Sequence, residues 1–311
     1  MKIAFVFPGQ GSQKVGMCRD LWENFDEAKR VYEEASAALG YDVAELSFSG
    51  PLEELNKTFR TQPCILTASI AAGKVLLSKG IEPYVVAGHS LGEYSALVAA
   101  GVLSLSEAVK LTEQRGKFMQ EAVPEGKGLM AAIIGLDRNK VDDICVSVES
   151  GYVSAANYNC PGQIVIAGEK AAVEEAMKLA KDSGAKRAMP LAVSAPSHCT
   201  LMVGASDRLG ELLNTIEFSS PSVPIVNNAD AMFLTNAERI KYSLIAQLNS
   251  PLLWEDSIRN IIEKGIDTFV EVGPGKVLSG LIKRIEPSAR IFNVEDVESL
   301  NKTREGLKPQ G

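Results

Sequence analysis

One six-residue segment constrains the fold of this chain more than any other: residues 88–93, with the sequence Gly-His-Ser-Leu-Gly-Glu. It follows an apolar run at 84–87 and precedes a helical pattern at 94–100. A Gly-x-Ser-x-Gly between a strand and a helix is typical of a nucleophile elbow, a sharp turn that exposes one serine hydroxyl. The glycines are needed because the strained turn leaves no room for a Cβ. We therefore expect Ser90 to be a nucleophile.

Strand and helix patterns alternate on both sides of this segment, which is typical of a parallel sheet covered by helices. Pro63 is expected in the first turn of its helix, and the polar tail 301–311 is expected to fray. The predicted strands are 3–7, 84–87, 224–227 and 268–272. The predicted helices are 14–39, 62–78, 91–100, 105–123, 200–215, 238–248, 253–264 and 277–285.

The spacing of elements changes between residues 126 and 195. We predict strands at 129–135, 153–156, 163–167 and 187–193, with helices at 138–150 and 172–183. The order β-α-β-β-α-β is that of a ferredoxin-like unit. We therefore predict a large α/β-hydrolase-like domain with a central parallel sheet, formed by 1–125 and 196–311. A small ferredoxin-like subdomain, 126–195, interrupts it.

Charge and composition exclude several classes of function. The net charge of −7 leaves no basic stripe for nucleic acid. The apolar runs are strand-sized, far short of the roughly 20 residues that a membrane helix needs. Five cysteines without a Cys-x-x-Cys pair suit a reducing compartment. Two histidines are too few for a multi-histidine metal site. We expect a cytoplasmic protein that binds no metal, nucleic acid or membrane.

The general base can be inferred from the scarcity of histidine. His89 adjoins Ser90, and neighbouring side chains at a tight turn point apart, so His198 remains. A lone histidine in a loop is more often structural, but an elbow serine with no other partner favours His198 as the base. An α/β-hydrolase also needs an acid between serine and histidine. The candidates lie in helices or turns of the insert, so we expect another group, such as a backbone carbonyl, to orient the imidazole. These candidates are Asp137, Asp142, Asp143 and Asp182.

Two further features bear on the acyl group. The elbow supplies the amide of Leu91 as an oxyanion donor, and the glycine-rich turn 8–13 is the natural source of a second. A dinucleotide-binding loop is excluded there, because Lys14 replaces the third glycine. Arg115 precedes Gly116 within a helix, where glycine costs roughly 1 kcal/mol against alanine, so something is expected to approach closely. An exposed arginine is the commoner case, but a buried one would bind a carboxylate bidentately.

The motifs resemble those of the malonyl-CoA:acyl carrier protein transacylase family. The matching segments are 5–13, 88–93, 114–116, 156–163, 196–199 and 271–275. The resemblance implies that Ser90 is the nucleophile, that His198 is the base and that the backbone carbonyl of Gln247 orients the imidazole. The other roles that it implies are Gln10 and Leu91 as oxyanion-hole amides, Arg115 as the clamp for the malonyl carboxylate, and Gln247, Asn157 and Met119 in substrate binding.

This resemblance implies a ping-pong transfer of malonyl from malonyl-CoA, through Ser90, to the phosphopantetheine thiol of acyl carrier protein. No bound cofactor is expected, and a monomer is the simplest expectation. Two alternatives remain open: a discrete acyltransferase of a polyketide synthase, and a serine thioesterase or hydrolase. The carrier is acidic in this family and this chain also has a net negative charge, so docking needs a local basic patch. The candidates are Lys186, Arg187, Lys276, Lys283 and Arg284.

Overall fold

The larger sheet occupies the centre of the molecule. The computed structural model describes residues 2–124, 126–191 and 195–308. In these ranges the strands of this sheet are β1 Ile3–Phe7, β2 Val85–Gly88, β7 Ile225–Val226, β8 Phe233–Leu234, β9 Thr268–Val272 and β10 Arg290–Val294. Their order is β10-β9-β1-β2-β7-β8, parallel throughout except for β8. The predicted central parallel sheet is confirmed, and β8 and β10 are strands that the patterns missed.

Helices cover both faces of this sheet because alternate strand residues point to opposite sides. Phe5 and Phe7 face a cluster formed with the helices at 26–122, whereas Ala4 and Val6 pack with Trp254 and its neighbours. The helices are α1 Arg19–Asn24, α2 Asp26–Leu39, α3 Val43–Ser49, α4 Leu52–Leu55, α5 Thr58–Ser78, α6 Gly92–Ala99, α7 Leu105–Ala122, α10 Val203–Asn214, α11 Ala237–Asn249, α12 Trp254–Glu263, α13 Val277–Ile285 and α14 Val297–Gly306.

The inserted unit has the predicted βαββαβ order. Its elements are β3 Gly128–Ile134, α8 Arg138–Ser147, β4 Val153–Cys160, β5 Gln163–Glu169, α9 Lys170–Asp182 and β6 Arg187–Pro190. The strands pair antiparallel in the order β4-β5-β3-β6, which confirms the ferredoxin-like prediction. Strand β4 runs beyond the predicted end at 156, through two irregularities in its register. The predicted strand 187–193 ends at Pro190, and residues 192 and 193 lie outside the described residues.

Several predicted helix ends were wrong: the helix expected over 138–150 ends at Ser147, and the one expected over 200–215 starts as a 3₁₀ helix at Thr200–Met202. The helix expected over 14–39 begins at Arg19 and breaks at Phe25, whose backbone is extended. Helix α5 begins at Thr58, so Pro63 lies inside it; Pro63 costs one helical hydrogen bond, and the dense packing of this buried helix maintains the fold. The expected fraying from 301 is also wrong as far as Gly306, because Leu300 and Thr303 are buried in α14. Residues 309–311 lie outside the described residues.

Candidate active site

The elbow has the geometry that its glycines predict. A Cβ on Gly88 would lie 1.9 Å from the carbonyl carbon of Gly92, and one on Gly92 would lie 2.0 Å from the oxygen of Phe7. Ser90 has a φ of 52°, a left-handed conformation that is uncommon for serine. The side chain of Asn228 closes the turn, accepting from the Ser90 amide and donating to the Gly88 carbonyl, both at 2.8 Å. The serine is therefore held rigidly.

His198 lies against Ser90. Its Nε2 is 2.8 Å from Ser90 Oγ, and its Nδ1 is 2.7 Å from the carbonyl oxygen of Gln247. Because a carbonyl only accepts, Nδ1 carries the proton and Nε2 presents its lone pair to the serine hydroxyl. The contact agrees with the expectation that a backbone carbonyl orients this ring. His89 points elsewhere, with Nε2 2.8 Å from Asn159 Oδ1.

The imidazole of His198 is neutral in this environment. It is 1% exposed, and burial together with the charge of Arg115 lowers the pKa of His198 to about 3. A neutral imidazole at neutral pH can accept the serine proton, whereas an imidazolium cannot. The ring is therefore ready to act as a base without first losing a proton.

The guanidinium of Arg115 lies beside the same hydroxyl. Arg115 is 1% exposed; its Nη2 donates to Ser90 Oγ at 3.2 Å and to Gln247 Oε1 at 3.0 Å, and its Nη1 donates to Gln62 Oε1 at 2.8 Å. The expected close approach at Gly116 is confirmed: a Cβ there would lie 2.6 Å from Phe59 Cα. The approaching group is thus the start of α5, which brings the two helices together.

The turn after β1 brings a second backbone amide towards the elbow. A Cβ on Gly9 would lie 2.4 Å from the carbonyl oxygen of His89, so the two turns touch. In the described part of the chain, the N–H groups of Gln10 and Leu91 have no protein acceptor. Both residues line the cavity that contains Ser90. Two free N–H groups in this position can stabilise a negative oxygen.

The cavity has a volume of about 220 Å³ and is open to solvent. The insert forms part of its wall through Asn157, Asn159 and Gln163, and Met119 contributes from α7. Asn157 and Met119, expected in substrate binding, are therefore both at the cavity. The apolar contribution of α13 is Val277, Leu278 and Leu281.

The five basic residues expected to bind a carrier fall in two places. Lys186 and Arg187 are exposed at the start of β6. Lys276, Lys283 and Arg284 are exposed on or beside α13. Arg284 donates to Gln163 and to the carbonyl of Pro161, so part of its charge is engaged at the β4–β5 turn.

Four site residues had no assigned role in the sequence analysis: Gln62, Glu93, Asn159 and Asn228. Glu93 belongs to the elbow motif, but only the structure places its carboxylate 2.8 Å from Gln247 Nε2. Asn228 follows the short strand β7, and a polar residue at the carboxyl end of a parallel strand is a signal that could have found it. Asn159 belongs to the segment 156–163 singled out in the sequence, which could have found it, whereas Gln62 precedes the apolar part of α5 and gave no such signal.

Other kinds of site are not seen in the described residues. No group of three or more His, Cys, Asp or Glu side chains there is placed to hold a metal ion. No described helix is both long enough and apolar enough to cross a membrane. The five cysteines are free and buried, and burial raises the pKa of each thiol, so none offers a competing thiolate.

Comparisons with known proteins agree with this geometry. The model of the acyl transferase domain family matches residues 4–304. The malonyl CoA-acyl carrier protein transacylase of Haemophilus influenzae is 50% identical over 309 residues, covering 98% of this chain and 99% of the relative. An acyl carrier protein S-malonyltransferase from Vibrio cholerae has a TM-score of 0.95 at 50% identity, covering 97% of this chain and 100% of that chain. The solved complex PlMCAT:AntF contains a type II PKS acyl-carrier protein and its malonyl-transacylase. It matches with a TM-score of 0.96 at 50% identity, covering 98% of this chain and 99% of that chain. The chain is therefore an acyltransferase and belongs to the malonyl CoA-acyl carrier protein transacylase family.

Proposed function

We propose that this chain transfers malonyl from malonyl-CoA to the phosphopantetheine thiol of an acyl carrier protein, supplying extender units for fatty acid synthesis. The main support is the buried guanidinium of Arg115, 3.2 Å from Ser90 Oγ. A cation at this distance suits an acyl group that ends in a carboxylate, because a guanidinium can bind both carboxylate oxygens. The names of the relatives support the same transfer.

In the first half-reaction, Ser90 Oγ attacks the thioester carbonyl of malonyl-CoA while His198 Nε2 takes the hydroxyl proton. The Gln10 and Leu91 amides stabilise the oxyanion of the tetrahedral intermediate, and Arg115 holds the distal carboxylate. The C–S bond then breaks, and His198 returns the proton to the CoA sulfur. A malonyl ester of Ser90 and free CoA result.

In the second half-reaction, the phosphopantetheine thiol gives its proton to His198 and attacks the ester. The intermediate collapses, and the proton passes to Ser90 Oγ as the C–O bond breaks. Malonyl is then a thioester of the carrier, and no net proton or electron is exchanged. The chemistry needs no bound cofactor, because both half-reactions use the same hydroxyl and imidazole.

Intact mass measurement after incubation with malonyl-, acetyl- or methylmalonyl-CoA tests this function. We expect a stable malonyl adduct that is absent in Ser90→Ala. Rapid hydrolysis of malonyl-CoA without an adduct would indicate a thioesterase. Preference of the unaltered protein for acetyl would contradict the role of Arg115.

A second candidate differs only in the carrier. The complex PlMCAT:AntF contains a type II PKS acyl-carrier protein, which favours a polyketide carrier as the alternative partner. Initial rates with one fatty-acid and one polyketide carrier, measured from the same malonyl-enzyme, would distinguish the two.

The proposal also covers where the carrier docks. We infer that Lys186, Arg187, Lys276, Lys283 and Arg284 attract the acidic carrier, since all five are exposed and α13 borders the cavity.

The strand pairing supports two domains, one formed by 1–125 with 196–311 and the other by 126–195. We further propose a monomer that works in the cytoplasm without binding membranes. The five free cysteines suit a reducing compartment such as the cytoplasm.

A further inference from the structure

Glu93 is a buried carboxylate next to the reacting groups that the proposed mechanism does not use. It is 1% exposed. Its Oε2 accepts from Gln247 Nε2 at 2.8 Å and from the backbone amide of Asn228 at 3.1 Å. Both partners also touch Ser90: Gln247 Nε2 donates to its carbonyl at 3.0 Å, and Asn228 Oδ1 accepts from its amide.

The amide of Gln247 connects this carboxylate to the rest of the site. Since Nε2 donates to Glu93, Oε1 is turned towards Arg115, from which it accepts at 3.0 Å. The backbone carbonyl of the same residue accepts from His198 Nδ1. Glu93 therefore fixes the side chain of Gln247, a residue that contacts both the imidazole and the guanidinium.

Glu93 also contributes to the balance of charge around Arg115. A buried guanidinium is costly unless an anion lies nearby. Tyr94 and Glu93 are the ionisable neighbours that act on Arg115; burial raises the pKa of Tyr94 to about 12, so Glu93 is the group that supplies the anion. Burial raises the pKa of Glu93 to about 7, and the charged groups that act on it are Arg115 on α7 and Asp230 after β7. Gln247 and Asn228 carry no charge, and His198 is neutral. A bound malonyl carboxylate would be a second anion beside Arg115.

We propose that Glu93 is a positioning residue for malonyl transfer, and that its carboxylate is the counter-charge of Arg115 until the malonyl carboxylate replaces it. This rests on the function proposed above. When malonyl binds, the site holds two anions and one guanidinium, and Glu93 takes up a proton from solvent. Protonation of Glu93 and binding of malonyl therefore favour each other. Acetyl carries no carboxylate and has no such coupling.

The coupling is measured as the KM for malonyl-CoA and acetyl-CoA in the acylation half-reaction, from about pH 6 to about pH 8. For the unaltered protein we expect the malonyl-CoA KM to rise about fivefold over this range, the linkage for a Glu93 pKa that bound malonyl raises by one unit from about 7. Acetyl-CoA has the same CoA phosphates as malonyl-CoA but no second carboxylate, so its KM should not change with pH. Equal dependence for both thioesters, or none for malonyl-CoA, would overturn the counter-charge role. A malonyl adduct on Ser90 under the same conditions shows separately that the proposed function stands.

Two variants separate charge from hydrogen bonding. Glu93→Gln keeps an acceptor oxygen but removes the charge, so we expect a low malonyl-CoA KM at every pH and a kcat within about threefold. Glu93→Ala also removes the acceptor, and kcat should fall for both acyl donors because Gln247 is no longer held. If Glu93→Ala does not fold, the pH profile of Glu93→Gln decides alone. A profile like that of the unaltered protein would refute the proposal.

Glu113→Gln is the matched control. It removes a carboxylate two residues from Arg115 on the same helix, where Glu113 pairs with Arg60 and Lys117. We expect this variant to keep the pH dependence of the unaltered protein. A flat malonyl-CoA profile here would mean that general charge, and not Glu93, sets the coupling.

Discussion

The two sheets contribute differently to the same cavity. The larger sheet presents the turns that follow β1 and β2, so Gln10, Ser90 and Leu91 arrive together at the carboxyl ends of neighbouring parallel strands. The small sheet presents side chains along its strands, among them Asn157 and Val165, and has exposed basic residues at β6. The comparison separates two tasks of the proposed function: the acyl chemistry is proposed for the larger sheet and its helices, and docking of the carrier is proposed for the insert together with α13.

The sharpest way to break this comparison is at the elbow. In Ser90→Ala we expect the malonyl adduct to disappear and transfer to fall by at least about 10⁴-fold, because the hydroxyl that forms the malonyl ester is absent. Intact mass and a transfer assay measure both effects. Thermal unfolding should be unchanged, which separates lost chemistry from lost structure. A surviving adduct at another residue would contradict the assignment.

The next largest effect is expected at Arg115. Arg115→Ala should lower kcat/KM for malonyl-CoA by at least about 100-fold, since a charge-assisted hydrogen bond contributes roughly 1.5–3 kcal/mol and two are lost. Acetyl-CoA has no carboxylate to lose, so its share of the adduct should rise. Competition between the two thioesters, read by mass, measures the shift. An unchanged ratio would remove Arg115 from substrate recognition.

The burial of His198 predicts a pH effect on stability. Its pKa is about 3 in the folded protein against an ordinary value of 6.5, so between these values the unfolded chain binds one more proton. The free energy of unfolding should therefore fall as the pH falls below 6.5, by up to about 1.4 kcal/mol per pH unit from this group. Denaturant unfolding of the unaltered protein and of His198→Gln at several pH values measures the difference. Equal slopes would contradict a buried neutral imidazole.

The smallest effect is expected on the insert. Replacing Lys186 and Arg187 by alanine should raise the KM for the carrier about threefold, because exposed charges steer a partner without strong contacts. Acylation by malonyl-CoA should be unchanged. The matched control is the Lys29–Arg30 pair on α2, whose replacement should leave the carrier KM unaltered. Unchanged carrier kinetics in the insert variant would refute this docking surface.

The sequence predicted the elements that carry strong local signals. The strand–elbow–helix order follows from the glycines at 88 and 92, which no other residue could replace. The scarcity of histidine predicted a pairing of Ser90 with His198, and their side chains do lie within hydrogen-bond distance. The insert followed from its spacing of strands and helices.

The features that were missed depend on contacts between distant segments. Asn228 closes a turn 138 residues away, and Glu93 meets Gln247 across 154 residues. Polarity at the end of β7 could have placed Asn228 near the site, but nothing along the chain indicates which distant residue Asn228 or Glu93 contacts. Pro63 was misplaced for the same reason, because the packing of α5 against its neighbours, and not its local preference, decides where the helix begins.

One pairing has a consequence for the dimensions of the site. Phe7 is the parallel partner of Gly88, and Gln10 and Leu91 each follow by three residues. Neighbouring strands lie about 4.8 Å apart through their backbone hydrogen bonds. The spacing of the main chains thus sets the distance between the two proposed oxyanion donors. Substitutions that change only side chains around the cavity leave this distance unchanged. Acyl specificity can therefore change while the place where the tetrahedral oxygen forms stays constant.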